Sequence, residues 1–135
     1  MLNFTKYKNL FEGKTVLVAD DVEDVLFYYR SLLACTGIKL VEARSGNEAL
    51  SIYRKNPDID LIMLDIQMPN GDGIYTLGKL KEMNTKASVI AQTAQAFPTD
   101  RIKYVNLGFD DYISKPLRTE AIFKILEDRL IASEE

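Results

Sequence analysis

The chain has 135 residues, 47% of them hydrophobic and 27% charged, with a net charge of -3. This suits one domain with one core. No apolar run approaches the ~20 residues of a membrane span, and no basic cluster favours nucleic acid or an anionic membrane surface. The chain contains no His, which excludes a His ligand, a His base and a phosphohistidine of its own. A single cysteine, Cys35, cannot form an internal disulfide, and the N-terminus lacks the pattern of a signal peptide. Both features point to a reducing, cytoplasmic setting.

Residues 1–13 mix Leu2, Phe4, Tyr7, Leu10 and Phe11 with Lys and Asn, and read as a short helix or a linker remnant closed by Gly13. Thr15–Ala19 is an apolar strand that stops at Asp20 and Asp21. A helical pattern over 22–36 ends before Gly37, a good stop signal. Lys39–Ala43 reads as a short strand. Ser45 and Glu48 have capping-box spacing and open a helix that runs to about Lys55. Asp60–Asp65 is a strand whose apolar run ends in a carboxylate, followed by a turn rich in Pro, Asn and Gly that leads into a helix over about 73–83. Ala87–Ala91 is the next strand and leads into Thr93. Pro98-Thr99-Asp100 starts a helix stopped near Gly108, with Ile102, Val105 and Leu107 expected mostly in the core. Asp110–Ser114 is the fifth strand, followed by Lys115-Pro116 and an amphipathic helix over Arg118–Ile131. The pattern assigns 1–13 to an N-terminal tail, 14–132 to the domain and 133–135 to a C-terminal tail. No DNA-binding output module is expected.

Strands alternating with helices argue for a parallel sheet covered on both faces. With right-handed crossovers, the flavodoxin-like α/β order 2-1-3-4-5 is the common five-stranded solution. Ligands then bind at the C-terminal ends of the strands. On four neighbouring strands those ends carry Asp20-Asp21, Asp65, Thr93 and Lys115.

Three carboxylates at one mouth repel one another. At about 4 Å and an effective dielectric near 20, each pair of unit charges interacts by roughly 4 kcal/mol. Such a gathering calls for a cation. An all-oxygen set without His or a nearby thiol suits a hard divalent ion, most simply Mg2+, to which a backbone carbonyl such as that of Gln67 can add a ligand. A carboxylate can act as nucleophile toward a phosphoryl group, giving an aspartyl phosphate. Lys115 and Thr93 would hold the other phosphoryl oxygens. No evident base deprotonates water, which favours a persistent adduct over rapid turnover.

Over about residues 14–132 the sequence resembles the receiver domains of two-component response regulators. The resemblance rests on Val16-Leu17-Val18-Ala19-Asp20-Asp21, on Leu64-Asp65-Ile66-Gln67-Met68-Pro69 with Gly73, on Thr93-Ala94, and on Tyr112-Ile113-Ser114-Lys115-Pro116. It implies that Asp65 accepts phosphate from a phosphohistidine on a histidine kinase or histidine phosphotransfer domain. Asp20, Asp21, Asp65 and the Gln67 carbonyl would hold Mg2+. Lys115 would bind phosphate, Thr93 and Tyr112 would form the switch pair, and the Lys115–Pro116 bond would be cis. Gln67 and Gln95 occupy the flanking positions that tune dephosphorylation in the family. The resemblance implies a signalling domain rather than an enzyme, either stand-alone or part of a hybrid sensor kinase. It leaves oligomeric state open, a phosphorylation-dependent dimer included.

On a helical wheel, Val22, Val25, Leu26, Tyr29, Leu32 and Leu33 share the broad core face of the first helix. Phe27 lies opposite and Tyr28 at the margin, where both are candidates for docking a helical partner, as in similar receivers. Cys35, Met63 and Met68 read as packing residues. Two rival functions are a Mg2+-dependent phosphatase with an Asp nucleophile and a phosphorylation-independent binding module. The first would need a second Asp where Gln67 stands. The second would not need the full set of five residues.

Overall fold

The computed structural model describes residues 4–70, 72–94 and 100–131. Strands and helices alternate as β1 (Thr15–Ala19), α1 (Glu23–Leu33), β2 (Lys39–Ala43), α2 (Gly46–Lys55), β3 (Leu61–Asp65), α3 (Gly73–Glu82), β4 (Ser88–Thr93), α4 (Asp100–Leu107), β5 (Asp111–Ser114) and α5 (Thr119–Leu130). All pairings are parallel and the strand order is β2-β1-β3-β4-β5, the flavodoxin-like order. Strand β4 runs two residues further than its apolar pattern, because Thr93 still pairs with Ser114. The Lys115 backbone N–H then donates to the Thr93 carbonyl at 2.7 Å.

Successive side chains of a strand point to opposite faces, and both faces of this sheet are buried. Val16, Val18, Leu61, Met63 and Ile90 pack under α1 and α5, against Leu26, Tyr29, Leu33, Phe123 and Leu126. Leu17, Ala19, Ile62, Leu64, Val89 and Ala91 pack under α2, α3 and α4, against Leu50, Tyr53, Leu77, Leu80 and Tyr104. Met63 and Met68 are both buried packing residues. Continuing the alternation past the last apolar residues puts Asp20, Asp65 and Gln92 on the α1/α5 side, and Thr93 on the α2–α4 side.

Three core expectations are corrected. Ile102, Val105 and Leu107 are exposed, Ile102 by 65%. Helix α4 turns Asp100 and Tyr104 inward instead, four residues apart and therefore on one face. It meets the sheet through the Tyr104 ring and through Arg101, 3.8 Å from Asp111 of β5. Cys35 is exposed, because α1 ends at Leu33 and Cys35 lies beyond its buried face. Val22 is exposed as well, since it occupies the N-cap of α1 rather than its first inward turn.

The segment before β1 is packed. Tyr7 and Phe11 are buried, and the Tyr7 ring stacks on Phe123 of α5 with centroids 3.9 Å apart. The backbone N–H groups of Asn9 and Phe11 donate to the carbonyls of Cys35 and Thr36, each at 2.9 Å. Gly37 makes this close approach possible: its φ is +87°, and a Cβ there would meet the Glu12 Cα at 2.8 Å. Phe11→Ala should therefore lower the unfolding free energy by about 3–4 kcal/mol, read as an earlier midpoint in urea. An unmoved midpoint would mean that the segment adds nothing to the core.

Candidate functional site

The site is built from strand ends. Asp65 is the last residue of β3. The turn after it closes tightly, with the Gly73 N–H donating to the Ile66 carbonyl at 2.9 Å. A Cβ on Gly73 would sit 2.6 Å from the Asp65 carbonyl oxygen, so only glycine lets α3 start there. Asp72 caps that helix by accepting from the Tyr75 N–H at 2.8 Å, which makes it a turn and cap residue.

Asp20 follows β1 and is fully buried. Its Oδ1 accepts from the Val22 N–H at 2.9 Å, the local turn that short acidic side chains favour. Its Oδ2 accepts from Lys115 Nζ at 2.9 Å and from Gln92 Nε2 at 3.3 Å. The same ammonium lies 3.6 Å from Asp65 Oδ2, and Asp65 Oδ1 accepts from the Gln67 N–H at 3.2 Å. Asp21 is exposed at the rim. One oxygen from each of Asp20, Asp21 and Asp65 falls within 4.8 Å of the others. The Lys115–Pro116 peptide bond is cis. The structure thus brings together Asp20, Asp21, Asp65 and Lys115.

Charge is crowded here. Burial, and then repulsion from Asp20, raise the Asp65 pKa to about 6, although Lys115 pulls the other way. Burial alone would lower the Lys115 ammonium, but the hydrogen bond and attraction from Asp20, with Asp65 adding to both, leave it raised. The donors are all oxygen, two of the three carboxylates are buried, and their repulsion is only partly offset by one ammonium. Such a set fits a hard divalent cation.

Thr93 lies on the other side of the sheet. Tyr104 of α4 donates from its hydroxyl to Thr93 Oγ1 at 3.4 Å. The Tyr104 ring stacks against Tyr112 with centroids 6.0 Å apart and meets Phe109 edge-on. Thr93 and Tyr112 are therefore linked by a buried ring that the sequence reading passed over. The helical spacing from Asp100 to Tyr104 was the available signal. Gln92 and Tyr29 were also missed as site residues. A Gln within Val89-Ile90-Ala91-Gln92-Thr93, two residues after the inward Ile90, was the sign that something polar lay behind the site.

On α1, Phe27 is 60% exposed, and the Tyr28 hydroxyl is within 2.7 Å of Thr119 Oγ1 on α5. A shallow cavity of about 240 Å³ beside Tyr28 is lined by Asp24, Val25, Tyr28, Lys115, Pro116 and Leu117. It lies between α1 and the Lys115–Leu117 segment. Gln95 lies outside the described residues. Among the described residues no helix is long and apolar enough to cross a membrane.

The raised Asp65 carboxyl makes metal-free stability pH-dependent. Its folded pKa of about 6 lies above the ordinary value of 3.8, so folding favours the protonated form. That contribution is full below about pH 4 and is lost as pH rises through 6. In chelator, Asp65→Asn should match the wild type near pH 4 and exceed its unfolding free energy above pH 7, by on the order of 1–3 kcal/mol. Parallel denaturation curves at the two pH values check this, and a constant difference would contradict it.

Residues 16–127 match the response regulator receiver domain family. Response regulator 24 of Arabidopsis thaliana is 32% identical over 87% of this chain and 86% of its own length. Hybrid signal transduction histidine kinase L of Dictyostelium discoideum is 36% identical over 83% of this chain, which spans only 7% of that protein. A chain of the CheX–CheY–BeF3–Mg2+ complex from Borrelia burgdorferi superimposes with a TM-score of 0.81 at 26% identity, covering 90% of this chain and 96% of that one. The matched residues span most of the chain and carry the five-stranded parallel sheet, and the chain belongs to the response regulator receiver domain family.

Proposed function

We propose that this receiver takes a phosphoryl group from a phosphohistidine onto Asp65. The observation that carries the reading is the convergence of Asp20, Asp21, Asp65 and Lys115 at one mouth, with a single ammonium bridging the two buried carboxylates. An Asp65 carboxylate oxygen attacks phosphorus, a P–O bond forms, and the P–N bond to the donor imidazole breaks. The electron pair leaves with the imidazole, which then takes up a proton.

Asp20, Asp21, Asp65 and the Gln67 carbonyl would hold Mg2+. When bound, it supplies positive charge that offsets the carboxylates and the phosphoryl oxygens. The Borrelia relative, described with BeF3 and Mg2+, supports that choice of ion. Lys115, 3.6 Å from Asp65 Oδ2, would hold one phosphoryl oxygen as a point charge. The Thr93 hydroxyl would donate to another.

Phosphorylation adds roughly two negative charges and several acceptors. Drawn toward them, Thr93 gives up its bond to Tyr104, and the Tyr104–Tyr112 stack passes the change to α4 and β5. This biases the α4–β5–α5 face between two arrangements. Relatives include both a hybrid histidine kinase and a response regulator, which supports a histidine kinase or phosphotransfer domain as the donor class. Phe27, Tyr28 and the cavity beside Lys115 are proposed as the surface that seats it.

Three measurements test this reading. With acetyl phosphate and Mg2+, intact mass should rise by one phosphoryl group, and should not rise for Asp65→Asn or in chelator. NMR spectra of the phosphorylated sample should shift at Thr93, Tyr104 and Tyr112. Free phosphate without an adduct would point instead to hydrolysis. The Phe27→Ala/Tyr28→Ala double variant should slow transfer from a histidine phosphotransfer protein at least tenfold while leaving acetyl phosphate labelling within about twofold. Equal rates from the protein donor would remove those residues from the docking surface.

A further inference from the structure

Asp20 is held by more than its lysine. Tyr29, buried on the inner face of α1, donates its hydroxyl to Gln92 Oε1. Gln92, buried near the end of β4, turns Nε2 to Asp20 Oδ2 at 3.3 Å. The direction of this chain is set by chemistry. A carboxylate only accepts, a phenol has one proton to give, and a carboxamide has one accepting and one donating end. With Tyr29 donating to Oε1, the NH2 end must face Asp20. Reversing the amide would set its oxygen against a buried carboxylate. Burial, together with the Asp20 charge, holds the Tyr29 phenol well above its ordinary pKa, so its proton stays in place for this bond.

A string of three buried polar groups in an otherwise apolar layer is costly unless each is satisfied. Here the string ends on a carboxylate of the acidic mouth. Lys115 is shared between Asp20 and Asp65. If it follows a phosphoryl group on Asp65, Asp20 keeps the Val22 N–H and the Gln92 amide. Gln92 holds Asp20 without adding charge, so it orients the carboxylate without repelling a cation.

We infer that Tyr29 and Gln92 are positioning residues: together they fix the Asp20 carboxylate in the orientation that faces Asp21 and Asp65, and so set the affinity of the site for its divalent cation. The inference rests on the reading that Asp20 is a Mg2+ ligand. Neither residue touches the cation or the phosphoryl group. Tyr29 acts through Gln92, and Gln92 acts through Asp20.

The test uses Tyr29→Phe, Gln92→Met and their combination, each close to the original in volume. Mg2+ dissociation constants are read from amide NMR shifts at Asp21 and Gln67, and folding from urea curves on the same samples. Gln92→Met should raise the dissociation constant about tenfold, the usual effect of losing a hydrogen-bond partner behind a metal ligand. Tyr29→Phe should raise it about threefold. The double variant should not exceed Gln92→Met, because removing Gln92 already breaks the path from Tyr29. With acetyl phosphate, the Mg2+ needed for half-maximal labelling should rise in step, while the rate at saturating Mg2+ returns to within about twofold of wild type. Unchanged dissociation constants in variants that are merely less stable would overturn the positioning role, as would strictly additive effects. If Gln92→Met loses its dispersed spectrum, Tyr29→Phe alone decides. Wild-type protein that binds no Mg2+ would overturn both this inference and the reading beneath it.

Discussion

The Lys115 ammonium sits between two buried carboxylates, 2.9 Å from Asp20 and 3.6 Å from Asp65, and the rest of the site is arranged around that contact. An isolated buried carboxylate is costly, and a second beside it more so. One cation cannot neutralise both, and Asp21 adds a third negative group at the rim. The excess appears as the raised proton affinity of Asp65. A divalent cation at this mouth would relieve the imbalance, whereas a site already neutral would gain little from one. The apolar sheet beneath is what makes the imbalance strong, since few groups there screen it.

The pleat of the sheet then divides the work. On the α1/α5 side lie Asp20, Asp65 and Gln92, backed by Tyr29. On the α2–α4 side lie Thr93, Tyr104 and Tyr112. The charged groups occupy one layer, and hydroxyl and ring contacts that reach α4 and β5 occupy the other. They meet at the peptide between Gln92 and Thr93, where neighbouring side chains serve opposite faces.

Much of this was legible in the sequence. Asp20, Asp65 and Thr93 stand at or just past the ends of apolar runs and Lys115 follows the more mixed fifth strand, and counting strands was enough to bring those ends together. What escaped depends on contacts between distant residues or on helix phase. Tyr29 and Gln92 are 63 residues apart in sequence, and each looks like ordinary core or strand filling by itself. Helix α4 spans only eight residues, too few for its apolar residues to declare a face, and its true inward pair is the mixed Asp100 and Tyr104. Tyr7 and Phe11 are buried by the surface they meet, the Phe123 ring and the Cys35–Thr36 backbone, rather than by any periodicity of their own. A segment of mixed composition carries no mark of such a surface.

The alternation along β4 also bears on how such a domain can change over evolutionary time. Insertions are ordinarily absorbed in surface loops. A single residue added or lost within Ser88–Thr93 would exchange the faces of every side chain beyond it. The amide that steadies Asp20 would be sent toward α4, and the hydroxyl that meets Tyr104 toward α1. Sequence drift in this strand is thus confined to substitution, and within it Gln92 and Thr93 can be changed in place, each acting on its own layer.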